Sequence, residues 1–231
     1  MENPRTIDFF GIELVENEAK LLKEFYKNND FLTKRRNKNL EKTIKSLFKR
    51  ESIIAKDGQI VGIGMLGETL EKFPPEISYF EKLQGANLAA NKISEIPKEF
   101  YKLNHLTSLS MRENPLSSIR GISKLENLEI LNMYSCYFHC FSKEITRLDK
   151  LKKVNFGLNP GEFLIPPEIS NMKSLEGIYL FETRLKSISK NILKLENLKE
   201  IDIRHKNMDY RIIPVVDKLL EQGVKVEYIF D

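Results

Sequence analysis

The chain has 231 residues, of which 41% are hydrophobic and 30% charged, a balance that excludes an intrinsically disordered protein and fits one extended domain or two small ones. The formal net charge of +4 is unevenly placed: residues 1–50 hold 12 Lys/Arg against 8 Asp/Glu, and residues 51–231 hold 25 against 25. No run approaches the ~20 apolar residues of a membrane span, and Met1 to Phe10 lacks the basic and apolar regions of a secretory leader.

In chain order, residues 16–28 read as a helix with Ala19, Leu22, Phe25 and Tyr26 on one face. Residues 39–50 repeat the pattern with Leu40, Ile44, Leu47 and Phe48. The stretch Lys34 to Arg50 carries Lys34, Arg35, Arg36, Lys38, Lys42, Lys45, Lys49 and Arg50 against Glu41 alone. Such a run either solvates a helix or attracts nucleic acid or another acidic surface, and the solvated helix is the preferred reading. Next, Asp57-Gly58 between two apolar runs signals a hairpin over Ser52 to Ile60.

From Ile60 onward the sequence repeats every 22–24 residues, in units that begin at Ile60, Leu83, Leu106, Leu128, Leu151, Leu175 and Leu198. Each unit runs apolar-x-x-apolar-x-apolar-x-x-N-x-apolar, as in Leu83, Ala86, Leu88, Asn91 and Ile93. A tail of the form Ile/Phe-Pro-x-x-Ile follows in three units, at Phe73-Pro74, Ile96-Pro97 and Ile165-Pro166. Alternation in the head predicts one short strand per unit, stacked on its neighbours so that no single unit has a core of its own. The ninth place turns the chain; it holds Glu68, Asn91, Asn114, Cys136, Asn159, Thr183 and Lys206, and a buried Asn there can bond the backbone of adjoining units. Pro214 to Gln222 reads as a closing helix, Gly223 as its C-cap, and Val224 to Phe230 as a closing strand.

These residues resemble the intracellular leucine-rich-repeat (LRR) proteins with Ile-Pro-x-x-Ile tails, similar to the Ras-suppressor-like and plant Ras-group-related types. The resemblance covers residues 60 to about 207. It implies an α/β leucine-rich-repeat solenoid: a right-handed arc with a parallel concave β-sheet, a partner-binding inner face and no catalytic residues. On this reading residues 1–59 form a helical and hairpin cap, residues 60–207 the seven repeats, and residues 208–231 a helix-strand cap.

Nothing in the sequence points to catalysis, a metal or another cofactor. His105, His139 and His205 are scattered, and Gly62, Gly64 and Gly67 fall on a strand and its turn rather than on a phosphate loop. Cys136-x-x-His139-Cys140 supplies two ligand types for zinc, but the repeat register points Cys136 inward, so a structural cysteine is expected. Two unpaired cysteines and the lack of an Asn-x-Ser/Thr sequon suggest a reducing, cytoplasmic setting, and a monomer is expected.

The third, fifth, seventh and eighth places of each unit point out of the concave sheet. In the first two units these are small or bare (Gly62, Gly64, Gly85, Ala89, Ala90), which fits either close approach of a partner backbone or cover by the N-terminal segment. From the third unit the row holds Arg112, Asn132, Tyr134, Lys153, Asn155, Leu158, Tyr179, Phe181, Asp202 and Arg204, the expected protein-binding residues. Tyr134, Leu158, Tyr179 and Phe181 should form a contiguous patch, rimmed by Arg112, Lys153, Arg184 and Arg204, that packing has no claim on. The reading is a non-enzymatic adaptor or regulatory binder, by family resemblance of a small GTPase or other signalling protein, with an acidic-surface binder through residues 34–50 as the rival.

Overall fold

The computed structural model describes residues 6–9, 12–28, 53–206 and 209–229. The helix expected over 39–50 and the basic run 34–50 lie outside them. Among the described residues nine strands form one sheet: β3 (Ile53–Lys56), β4 (Gln59–Gly64), β5 (Gly85–Asn87), β6 (Ser108–Ser110), β7 (Ile130–Asn132), β8 (Lys153–Asn155), β10 (Gly177–Tyr179), β12 (Glu200–Asp202) and β13 (Lys225–Glu227). They lie side by side in that order. β3 pairs antiparallel with β4, and from β4 to β13 every pairing is parallel, residue for equivalent residue. The register of the repeat is therefore the register of the sheet.

A main-chain ladder outlasts the three-residue strands. In each unit the sixth-place N–H donates to the fifth-place carbonyl of the next unit, from Met65 to Asn87 at 2.7 Å through to Ile203 with Glu227 at 2.8 Å. The eighth-place N–H then donates to the next unit's seventh-place carbonyl: Gly67 to Ala89, Ala90 to Arg112, Glu113 to Tyr134, Ser135 to Gly157, Leu158 to Phe181 and Glu182 to Arg204, at 2.7 to 3.0 Å. All six donors have φ between 51° and 68°. Five of them are not glycine, and a left-handed residue with a Cβ costs about 1–2 kcal/mol. The ladder bond that this conformation aims is what holds each one there.

Beneath that turn the ninth-place Asn is fully used. Asn91 Oδ1 accepts from Leu70 N at 2.9 Å, while its Nδ2 donates to Met65 O, Leu88 O and Ala89 O. Asn114 and Asn159 repeat the arrangement one and three units later. Each buried amide thus stitches two units. The substitutes do less: Cys136 Sγ donates to Met111 O at 3.3 Å, and Thr183 Oγ donates only within its own unit, to Leu180 O at 2.5 Å. Burial pushes the Cys136 thiol up to about 11.

Among the described residues the apolar places of the heads are buried, and the tails return as short 3-10 helices such as Pro75–Tyr79, Lys98–Lys102 and Pro167–Asn171. In the fifth and sixth units the return also contains a flank sheet, β9 (Glu162–Ile165) against β11 (Arg184–Ile188), which the repeat pattern does not foretell. The extra residue of Pro160-Gly161-Glu162 leads into it. A Cβ on Gly161 would lie 2.0 Å from His139 Cα, so the two backbones touch and only glycine fits.

At the N-terminal end α1 (Glu16–Asn28) occupies the expected helix, with Ala19 and Leu22 buried. A hairpin not foreseen in the sequence precedes it, β1 (Thr6–Phe9) with β2 (Ile12–Val15). Val15 N donates to Gly58 O at 2.8 Å, tying this segment to the β3–β4 hairpin, and the buried Glu18 accepts from Ile60 N at 3.1 Å, tying it to the first repeat. At the other end α2 (Ile213–Glu221) buries Val215, Val216 and Leu219, and Gly223, at φ 80°, ends it. The closing strand is shorter than Val224 to Phe230, with only Lys225–Glu227 in the sheet.

Removing an Asn that serves two units orphans a buried N–H and buried carbonyls together. Asn159→Ala should therefore lower unfolding free energy by about 2–4 kcal/mol in urea denaturation, against about 1 kcal/mol for Asn155→Ala, whose amide makes one local bond. The two cysteines should also separate cleanly. In the folded protein a maleimide should modify exposed Cys140 and leave Cys136 untouched until denaturant is added.

Candidate functional site

The concave positions divide into a place that supports the backbone and a place that displays side chains. At the fifth place, Asn132 Oδ1 accepts from Tyr134 N at 3.1 Å, Asn155 Oδ1 from Gly157 N at 2.9 Å and Asp202 Oδ1 from Arg204 N at 3.3 Å. These bonds to the residue two ahead are local turn locks. Asn132 and Asn155, expected as free binding groups, thus serve first to set the backbone of the seventh place. Asp202 is buried, and its carboxylate is gripped by Arg204, Nε to Oδ1 at 2.9 Å and a second nitrogen to Oδ2 at 2.6 Å.

The seventh place reads Arg112, Tyr134, Gly157, Phe181, Arg204 across five adjacent units. Tyr134 and Phe181 come from units two apart, yet their ring centroids are 5.5 Å apart and tilted by 34°. Gly157 makes this possible. A Cβ there would lie 2.7 Å from the Phe181 ring, so the ring rests on bare backbone and reaches across to Tyr134. The Arg204 guanidinium lies 5.8 Å from the centroid of the same ring, within reach of a cation–π contact. Both rings are half-buried by these contacts, which corrects the expectation that packing has no claim on them.

Tyr179 belongs to a different cluster. Its ring lies over Gly177, where a Cβ would meet it at 3.0 to 3.3 Å, and its hydroxyl donates to Glu200. Lys153 Nζ reaches the same carboxylate oxygen at 3.4 Å. The Tyr179 hydroxyl and the Lys153 ammonium hold Glu200 below the usual carboxylate range, and burial beside that carboxylate raises Tyr179. The four-residue patch expected from sequence is thus a Tyr134–Phe181 pair with Tyr179 turned aside. Leu158 stays beside the pair at the left-handed eighth place, 44% exposed.

The rim differs in the same way. Arg184 lies in β11 on the flank, 3.9 Å from Glu162, and not on the concave face. Arg112 pairs with Glu113 at 3.0 Å, Lys153 with Glu200, and Arg204 with Asp202 and Glu227. Each cation expected to rim the patch therefore already has an acidic neighbour. Two residues important to the surface were not singled out from sequence: Gly157, the seat of Phe181, and Ile130, a third-place side chain that is 45% exposed. A glycine beneath a neighbour's aromatic is readable only once the units are aligned in register.

On the first two units, Ile54 of β3, the cross-strand neighbour of Gly62, covers that glycine, its side chain 3.0 to 3.2 Å from a Cβ built there. Gly85 has open space above it. Gly62 lies within β4 and Gly64 ends it, and Gly67 is the left-handed turn of the first unit, in keeping with a strand and its turn. Among the described residues no cluster of three metal-ligating side chains occurs, and no helix is long and apolar enough to cross a membrane.

No protein-family model matches the sequence, and a search of curated proteins finds no match. Solved structures do match. An internalin of Listeria monocytogenes shares 20% identity over 80% of this chain and 53% of its own length, with a TM-score of 0.62. An LRR protein of Leptospira interrogans shares 22% identity over 73% of this chain and 48% of its own, at 0.56. The PEPR1–AtPEP1 structure shares 19% identity over 78% of this chain and 26% of its own, at 0.58. The likeness is one of fold: the chain is a leucine-rich-repeat solenoid, and it spans about half the length of the two bacterial proteins.

Proposed function

We propose that the protein is a non-enzymatic binding module that takes a protein partner on its concave face, centred on Tyr134 and Phe181. The observation that supports this most is the Tyr134–Phe181 pair seated on Gly157. Two aromatic rings brought together on the sheet's outer side, with exposed Leu158 and Ile130 nearby, have the composition of an interface centre. Because Arg112, Lys153 and Arg204 are each paired on the same face, the partner is recognised mainly by apolar contact and shape. Asn132, Asn155, Tyr179 and Asp202 contribute by fixing the display.

The resemblance to intracellular repeat proteins carries a finer reading: a cytoplasmic adaptor or regulator whose partner is a small GTPase or another signalling protein. That the PEPR1 structure is described together with AtPEP1 supports ligand binding by such solenoids in general. A second reading, binding of nucleic acid or another acidic surface, rests on the eight cations of residues 34–50. The two readings differ in salt response. A polyanion interaction weakens steeply with ionic strength and is lost with residues 1–50, whereas an apolar concave interface holds its affinity.

Affinity capture from the source cell, with wild type beside Tyr134→Ala/Phe181→Ala, should recover a partner that the double variant loses, at a cost of about 2 kcal/mol or more. Unchanged affinity removes the pair from the interface. Gly157→Ala should weaken the same partner while keeping every aromatic, because its Cβ lifts the Phe181 ring off the sheet. Full affinity in Gly157→Ala would mean that the ring's seat is immaterial.

A further inference from the structure

Among the described residues the nine-stranded sheet ends at β13, whose outer edge has no strand beside it. Lys225 N donates to Lys199 O, and Glu227 O accepts from Ile203 N, both at 2.8 Å, so residues 225 and 227 turn their main-chain groups toward β12. In an extended strand alternate residues face opposite edges, which leaves the N–H and C=O of Val226 directed outward. Unpaired edges of this kind are usually blocked by a charge or a proline. Here Lys225 and Glu227 pair with each other along the strand, and Glu227 also with Arg204, so the edge carries no net charge to repel a second copy. If two copies of β13 meet antiparallel and centred on Val226, Lys225 of each copy stands opposite Glu227 of the other, on both sides of the two-fold axis. The order Lys-Val-Glu is thus self-complementary in charge, and the outward Val226 groups form a matched pair of hydrogen bonds. The same end of the chain carries Leu220, Tyr228 and Ile229, each 38–41% exposed, an apolar border that a second copy would cover.

We infer that the β13 edge is a self-association surface, through which two copies join their sheets antiparallel across a two-fold axis at Val226. A two-fold contact of this kind uses one patch twice and closes after two copies, so it yields a dimer and no fibre. It lies at the end of the solenoid and leaves the row around Tyr134 and Phe181 free, so the dimer would present two concave faces. The repeat pattern does not foretell it, because the pattern describes pairing within the chain only.

Sedimentation velocity of the 231-residue chain across micromolar to millimolar concentrations tests the inference. The expected result is a monomer–dimer equilibrium. Val226→Pro removes the outward N–H without touching the bonds to β12 and should abolish the dimer, with the far-UV spectrum and thermal midpoint reporting that the monomer is folded. Lys225→Glu sets like charges opposite each other twice and should weaken dimerisation about tenfold. Neither Lys225→Glu nor Glu227→Lys alone should dimerise well, yet a mixture of the two should associate, because each carboxylate then faces an ammonium across the two-fold seam while the Lys225–Glu227 pair within each strand stays broken. A wild-type chain that stays monomeric throughout overturns the inference. So does a dimer that survives both Val226→Pro and Lys225→Glu, or a mixture of the two folded charge variants that does not associate.

Discussion

Every part of the structure depends on main-chain hydrogen bonds that pass from one repeat to the next at equivalent places. A 22- to 24-residue unit cannot bury its own apolar face, so its stability is the sum of what it makes with its neighbours. The eighth-place N–H is a telling member of this ladder. It is aimed by a left-handed backbone at Ala90, Glu113, Ser135, Leu158 and Glu182, residues that pay for that conformation with steric strain. The buried ninth-place amides complete the turn from below, and where Cys136 and Thr183 replace Asn the stitch between units is thinner. The fourth to sixth units, which carry the Tyr134–Phe181 pair, are the ones with two of their three ninth places so weakened.

The concave surface follows from the same regularity. Parallel, in-register strands bring equivalent places of adjacent units side by side, so a seventh-place glycine in one unit becomes a seat for the seventh-place ring of the next. Gly157 and Phe181 are that pair, and Tyr134 receives the ring's far side. Fifth-place Asn132 and Asn155 lock the turns on which the display rests. The charges add definition rather than attraction, since Arg112, Lys153 and Arg204 are satisfied within the face. A rigid, largely neutral aromatic centre with a self-paired rim is a surface organised before any partner arrives.

Much of this was legible in the sequence, because the period fixes which residues share a row. The strand positions, the buried role of Asn91, Asn114 and Asn159 and the inward Cys136 follow from register, and the hairpin at Asp57-Gly58 from its turn residues. What was hidden is of two kinds. The left-handed eighth place carries no sequence signal when Ala, Glu, Ser and Leu stand where glycine would announce it. Side-chain direction is hidden as well: Tyr179 and Phe181 leave the same face of one strand, but Glu200 draws the first away and Gly157 admits the second. Arg184 was misplaced because the flank strand β11 begins where the pattern has only a tail. Asp202 looked exposed because alternation reports the face of a residue, not the Arg204 that covers it.

As proposed above, partners meet the display row of the concave sheet and not the flank. A photo-activated cross-linker placed at Phe181, and in a second protein at Tyr137, 59% exposed behind the turn, tests it most directly in extracts of the source cell. The expected result is a discrete cross-linked partner from position 181 and none from position 137. Cross-linking of the same partner from position 137 alone would contradict it.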